Sequence, residues 1–481
     1  MAAKSDNEPG VTRQLCAWVE GLTLNDIPDD MQARAKHLIL DGLGCAIVAS
    51  QLPWTQKATN IVLGMEGDGS CPVWGYNKKI SPLPAALLNS TQIQGFEIDD
   101  WHSLAPVHSN AVILPALFAA AANAKAQGNE TGIETVISGE ALLLSAIVGY
   151  EIGPRVGLSL YGSHMLSRGW HSGVVFGHAQ AAAAVGKLLH LPAERIEDAV
   201  GIACTQACGL MSAQFSSDAK RMQHGFAARN GLFGALLAAG GYSGIKNVFE
   251  EPYGGFLATF SQGSGKEPPF LEHELARGLG ETWQLENIRV KPYAAMAGTH
   301  SSIEAMAALQ VEYPEKLKDL SGIKKIVLEM SEPAYKHGGW VAQRPLTATG
   351  AQMSCAYAAA VQLLDGQVLA EQFQHSLLNR DELWHLIDKI ECRQTDEFEN
   401  AMSQRGTIQY NDGSETSKFI AAAKGVNPPL SNDEIVDKFR RFTKDVITEE
   451  QQRRIEDMVL ELERLKDLSQ LEGLLSPFSG A

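Results

Sequence analysis

The chain has 481 residues, 45% of them hydrophobic and 20% charged. At roughly 100–200 residues per domain this suits a globular protein with a large core and two to four domains. Lysine and arginine number 40 against 56 aspartates and glutamates, a formal charge of −16. Nothing in that balance favours a nucleic-acid backbone or an anionic membrane as partner, and a small anionic substrate would need a local basic pocket.

The first stretch, MAAKSDNEPGVTRQLCAWVEGL, is polar and mildly acidic. It has neither the apolar core of a signal peptide nor the Arg/Ser-rich pattern of a mitochondrial presequence. Seven cysteines, an odd number spread along the chain, point the same way, to reduced thiols and a cytoplasmic protein. From about Val11 to Tyr242 the pattern is helical almost throughout. VTRQLCAWVEGL and DDMQARAKHLILDGLGCAIVAS carry apolar residues at i, i+3, i+4 and i+7, and the aspartates of IPDD are expected to cap the second helix. AVILPALFAAAANA and GEALLLSAIVGYEIG fall short of the ~18 uninterrupted apolar residues of a membrane span and read as buried core helices. HAQAAAAVGKLLHL, PAERIEDAVGIACTQACGLM and HGFAARNGLFGALLAAGGY are rich in alanine and glycine, which lets helices approach closely. Cys204 and Cys208 have no second cysteine pair at zinc-site spacing and are expected to be buried core thiols.

After the turn-rich YGGFLATFSQGSGKEPPF the character changes. IKKIVLEM is a β-branched run of strand length, HLIDKIECRQ follows, and TIQYNDGSETSKF reads as a hairpin turning at Asp-Gly. Two helices, SSIEAMAALQVEYPEKL and AQMSCAYAAAVQLLDG, are interleaved with them. Helix returns in LSNDEIVDKFRRF and TEEQQRRIEDMVLELERL. The expected fold is therefore mainly α: an all-helical domain over 1–285, completed by C-terminal helices in 430–481, with a smaller α+β domain inserted over 286–429.

Chemistry-bearing residues concentrate in a few places. EIDDWHSLAPVH packs Glu97, Asp99, Asp100, His102 and His108 into twelve positions between apolar flanks. Alone it admits a metal site, a proton-transfer site or a helix junction capped by an aspartate. No HExxH or comparable metal signature occurs in the sequence. RGWHSGVVFGHAQ sets His171 among small residues; AQFSSDAKRMQHGFAARNG gathers Lys220, Arg221, His224 and Arg229; KPYAAMAGTH offers Lys291, Tyr293 and His300. Gly298 and Thr299 stand just before a helix start, where backbone N–H groups bind anions. Without a GxGxxG, Walker or GxSxG motif, any chemistry rests on carboxylate, imidazole and ammonium groups.

EIDDWHSLAPVHSNAVILP, GWHSGVVFGHA, GIACTQACGLMSAQ, KRMQHGFAARNG, KPYAAMAGTH and QMSCAYAAAVQLLDG together resemble the MmgE/PrpD family, from about Gly10 to Leu475. That family contains 2-methylcitrate dehydratases and cis-aconitate decarboxylases, and the runs GIACTQACGLMSAQ and QHGFAARNG are most similar to the fungal decarboxylases. The resemblance implies that the α+β part is a lid over an active-site cleft. It also implies a homodimer and a small tricarboxylate substrate, with neither metal nor organic cofactor. Carried over by position, Glu97, His108, His171 and Lys220 fall on catalytic places, and Asp99, Asp100, His102, Lys291, His300 and Tyr335 on substrate-binding ones. Met296 stands where animal members have a histidine, and the loop between His102 and His108 is two residues longer than theirs. The implied reaction is decarboxylation of cis-aconitate to itaconate and CO₂, with an allylic shift and protonation by histidine. Lys220, Lys291 and Arg344 suit its carboxylates. Dehydration of 2-methylcitrate or a related hydroxy acid is the alternative. A catalytically silent scaffold is disfavoured because His108, His171 and Lys220 are all present.

Overall fold

A computed structural model of the chain describes residues 9–476 apart from 132–134, 215–216, 399 and 401. Residues 1–8, part of the polar N-terminal stretch, lie outside the described residues. Helix accounts for 58% of the chain and the sheets are small, so the fold is mainly α.

The core is a stack of long helices around Ser172–Leu188, in which every residue is buried. Gly139–Ser159, Ser109–Thr131 and Ala219–Ala239 pack on it, and Pro82–Ile93 packs on the last two. Small residues make this possible: a Cβ on Gly231 would lie 2.4 Å from the Cβ of Ala181, so only glycine lets these two helices approach so closely. Gly139–Ser159 is 21 residues long and apolar enough by composition to cross a membrane, longer than the sequence windows suggested. Its most apolar window is 83% buried by other helices, the place of a core helix.

The C-terminal helices Asn432–Thr443 and Glu449–Leu460 both return to pack on Asp29–Ala49. The first begins with a capping box between Ser431 and Glu434, which satisfies N–H groups that no helical carbonyl reaches. Asp29 and Asp30 do not cap their helix as expected. The cap position is Pro28, and both carboxylates fall in the first turn, where they still favour the helix dipole.

Four strands form the larger sheet, in the order Ile390–Gln394, Ile323–Met330, Gln404–Tyr410, Glu415–Ile420. The first pair is parallel and the others antiparallel, with the expected hairpin turning at Asp412-Gly413. His300–Glu312 covers one face and packs in turn on Cys355–Asp365. Gln404–Tyr410 accordingly alternates between buried and half-buried positions.

The helical stretch is not free of strand. Cys71–Pro72 pairs with Lys79–Ile80, and Asp100–His102 pairs antiparallel with Ile288–Val290. Runs of two or three residues are too short to show alternation, so periodicity could not announce them. The thiol reading is half corrected: Cys204 is buried, while Cys208 is partly exposed.

Candidate active site

The short pairing of Asp100–His102 with Ile288–Val290 assembles the site. Its register sets Asp100 opposite Val290, so the next residue out on each strand, Asp99 and Lys291, face each other. Lys291 Nζ lies 3.0 Å from Asp99 Oδ1 and 3.2 Å from Glu97 Oε2. Glu97 also contacts Lys220 Nζ, accepts from Arg221 Nη1 at 2.9 Å, and accepts from Gln94 Nε2 at 3.0 Å. Three cations thus surround two carboxylates, all of them buried. Glu97 is turned into this position by a left-handed backbone, φ 58°, a conformation that costs a non-glycine residue of order 1–3 kcal/mol and marks a place over-determined by its surroundings.

Beside this cluster stand three imidazoles. His108 Nδ1 donates to Asp99 Oδ2 at 2.7 Å. Its ring centre lies 4.6 Å from that of His224, which lies 4.8 Å from that of His171. His171 is the N-cap residue of Ser172–Leu188, and His224 follows Lys220 by one turn on Ala219–Ala239. Of the three, His108 is the most open, its side chain 16% exposed.

Electrostatics separates these groups. Burial would raise the Asp99 carboxyl, but His108 and Lys291 outweigh it and hold the group well below the usual range. Burial lowers His108, with Asp99 pulling the other way. His171 has no such partner, and burial with the neighbouring His108 takes it down to about 3. His224 is lowered well below its ordinary value by burial, His108 and His171. Burial, then Arg221 and Lys291, lowers Lys220; burial takes Arg221 to about 10. Of the three imidazoles, His108 is thus the one with a carboxylate bonded to it that offsets part of the burial.

The remaining expected site residues fall elsewhere. Asp100 accepts from the N–H groups of Ser109 at 3.0 Å and Asn110 at 3.1 Å, so it caps the Ser109–Thr131 helix and presents no carboxylate to the pocket. His102 Nδ1 accepts from the Ala105 N–H at 3.0 Å, and burial holds the ring at about 3. That ring serves the loop rather than the other imidazoles. His300 starts its helix where expected, donates from Nε2 to the Ala295 carbonyl at 2.9 Å and packs on Tyr293 at 5.2 Å. Among the described residues, no hydrogen bond or ring contact joins His300 or Tyr335 to the cluster. Tyr335 is 36% exposed on Glu332–Gly338. Arg344 pairs at the surface with Asp381 at 2.7 Å instead of facing the pocket.

Four residues without an assigned role complete the site. Arg221 and His224 were visible only as part of a basic run; the i, i+4 spacing of Lys220 and His224, which puts both on one helix face, was the available signal. Gln352 donates to the carbonyls of Phe96 and Ala294, both at 2.8 Å, and accepts from Arg221. Lys438, from the C-terminal part, donates to the Ile98 carbonyl and pairs with Asp41 Oδ1 at 2.7 Å, anchoring the chain between Glu97 and Asp99. No local pattern marks either. Among the described residues no three His, Cys, Asp or Glu side chains are grouped to hold a metal ion.

Comparison with known proteins identifies relatives along most of the chain. The MmgE/PrpD N-terminal domain matches residues 13–269, and the MmgE/PrpD C-terminal domain matches residues 293–464. The chain is 48% identical over 478 residues to the cis-aconitate decarboxylase-like protein oryM of Aspergillus oryzae, covering 98% of each chain. It is 45% identical over 484 residues to the cis-aconitate decarboxylase of Aspergillus terreus, covering 99% of this chain and 98% of that one. The cis-aconitate decarboxylase of Homo sapiens is 26% identical over 477 residues, 97% of this chain and 94% of that protein. Two family domains spanning most of its length make this chain a member of the MmgE/PrpD family.

Proposed function

We propose that the protein decarboxylates cis-aconitate to itaconate and CO₂ without a metal or organic cofactor. The observation that carries this reading is the Asp99–His108 pair, set beside buried Lys220, Arg221 and Lys291. Near-complete alignment with relatives named cis-aconitate decarboxylase supports it. Loss of CO₂ from the CH₂-carboxylate leaves an electron pair that moves through the double bond toward the vinyl carboxylate. The substrate is its own electron sink, and the protein has to bind a trianion, stabilise the migrating charge and protonate the former vinyl carbon. Lys220, Arg221 and Lys291 outnumber Glu97 and Asp99 there, which suits an anionic substrate. His108 donates the proton, and Asp99 orients it and supports its charge. His171 stays neutral and contacts the substrate.

On this reading the C-terminal helices 430–481 complete the helical domain 1–285, and 286–429 form the lid that delivers Lys291. The enzyme works as a cytoplasmic homodimer on a small tricarboxylate, with no nucleic-acid or membrane partner. Incubating purified, chelator-treated protein with cis-aconitate should release itaconate and CO₂ in equal amounts. Turnover of 2-methylcitrate in place of cis-aconitate would reverse the choice of reaction, and activity restored only by added metal would sink the cofactor-free claim.

A further inference from the structure

His224 is completely buried, yet neither of its ring nitrogens has a hydrogen-bond partner in the protein. His171 Nδ1 beside it has none either. Buried imidazole nitrogens are ordinarily satisfied, so an unpartnered set on two rings in contact marks where a ligand completes the bonding. Position narrows the ligand further. A Cβ on Gly173 would lie 2.6 Å from His224 Nε2, so that nitrogen rests against the first turn of the Ser172–Leu188 helix. The N–H groups of Ser172 and Gly173 open this 17-residue helix and have no intrahelical acceptor. Open N–H groups at a helix start bind anions, and here an unpartnered, buried imidazole lies against Gly173 in that first turn.

We propose that His224 is a third substrate-contacting imidazole, which donates a hydrogen bond to one carboxylate of the tricarboxylate and holds it over the N–H groups of Ser172 and Gly173. This rests on the tricarboxylate reading above and names the residue that orients that substrate. A neutral imidazole has one donor and one acceptor, so it binds a carboxylate without competing with His108 for the catalytic proton. Burial, His108, His171 and Lys220 all disfavour a charge on His224 and keep it in that neutral role. Gly173 is required for the same reason: any side chain there would displace the ring.

Calorimetric binding of tricarballylate, a saturated and unreactive tricarboxylate, to wild type, H224F and H224Q tests the contact. H224F keeps the ring volume and loses the donor, and should bind about ten- to a hundredfold more weakly, as for a lost hydrogen bond to a charged group. H224Q retains a neutral donor and should recover much of that loss. If H224F does not fold, Gly173→Ala takes its place, with the same loss expected. Unchanged affinity in H224F or in Gly173→Ala, equal weakening in H224F and H224Q, or a wild type that fails to bind tricarballylate would overturn the contact. The reaction fails separately: a wild type that binds tricarballylate through His224 but releases no CO₂ from cis-aconitate refutes the proposed chemistry and supports this contact.

Discussion

On the Glu97 side of the site every charge touches an opposite charge, whereas on the imidazole side three ring nitrogens, of His171 and His224, have no hydrogen-bond partner in the protein. The first side is complete without a ligand. Lys220, Arg221 and Lys291 hold Glu97 and Asp99 in place, and in doing so tie the Ala219–Ala239 helix to the chain just before Asp100–His102 and just after Ile288–Val290. The second side is incomplete. The comparison teaches that charge and open bonding capacity lie apart here: the most heavily charged residues satisfy one another, and on the proposed reading the less charged ones meet the substrate. Only His108 belongs to both, through its bond to Asp99.

Replacing His108 should therefore separate activity from stability most sharply. His108→Asn is expected to lose about 10²–10⁴-fold in kcat, the usual contribution of a positioned general acid, as read by steady-state itaconate formation. Its melting temperature should move little, because Asp99 keeps its bond to Lys291. Glu97→Gln should behave the opposite way. It leaves three cations around a neutral amide and should lower unfolding free energy by about 3–5 kcal/mol, read from denaturant midpoints.

Acid should destabilise the protein through its buried imidazoles. His171 and His300 titrate at about 3 in the fold against 6.5 in an unfolded chain, so between those values the unfolded state binds more protons. The stability they provide is full above pH 6.5 and is lost as pH falls toward 3. Chemical denaturation across that range should show the decline, and His171→Asn should flatten it. The smallest effect belongs to Arg344→Ala, which breaks an exposed pair with Asp381 and should leave kcat/KM within about twofold of wild type.

Much of the architecture could be read from the chain. IKKIVLEM and the Asp412-Gly413 hairpin declare themselves by β-branching and turn chemistry, and the long helices by their apolar spacing. The site was legible only where local sequence and family resemblance coincide. Glu97, Asp99, His108, His171, Lys220 and Lys291 converge. Asp100 and His102 come from the same twelve residues but serve the local chain: a one-residue step, from Asp99 to Asp100, sends one carboxylate to a histidine and the next to a helix start. Gln352 and Lys438 act across more than 250 positions of sequence, contacts that no local spacing encodes.

Turnover of cis-aconitate in heavy water by wild type and His108→Asn tests the central claim most directly. Wild type should give itaconate with a single deuterium, on one face of the saturated methylene and none on the vinyl carbon, while His108→Asn forms that product at least about a hundredfold more slowly. Deuterium on the vinyl carbon, or undiminished turnover by His108→Asn, would contradict protonation of the former vinyl carbon by this imidazole.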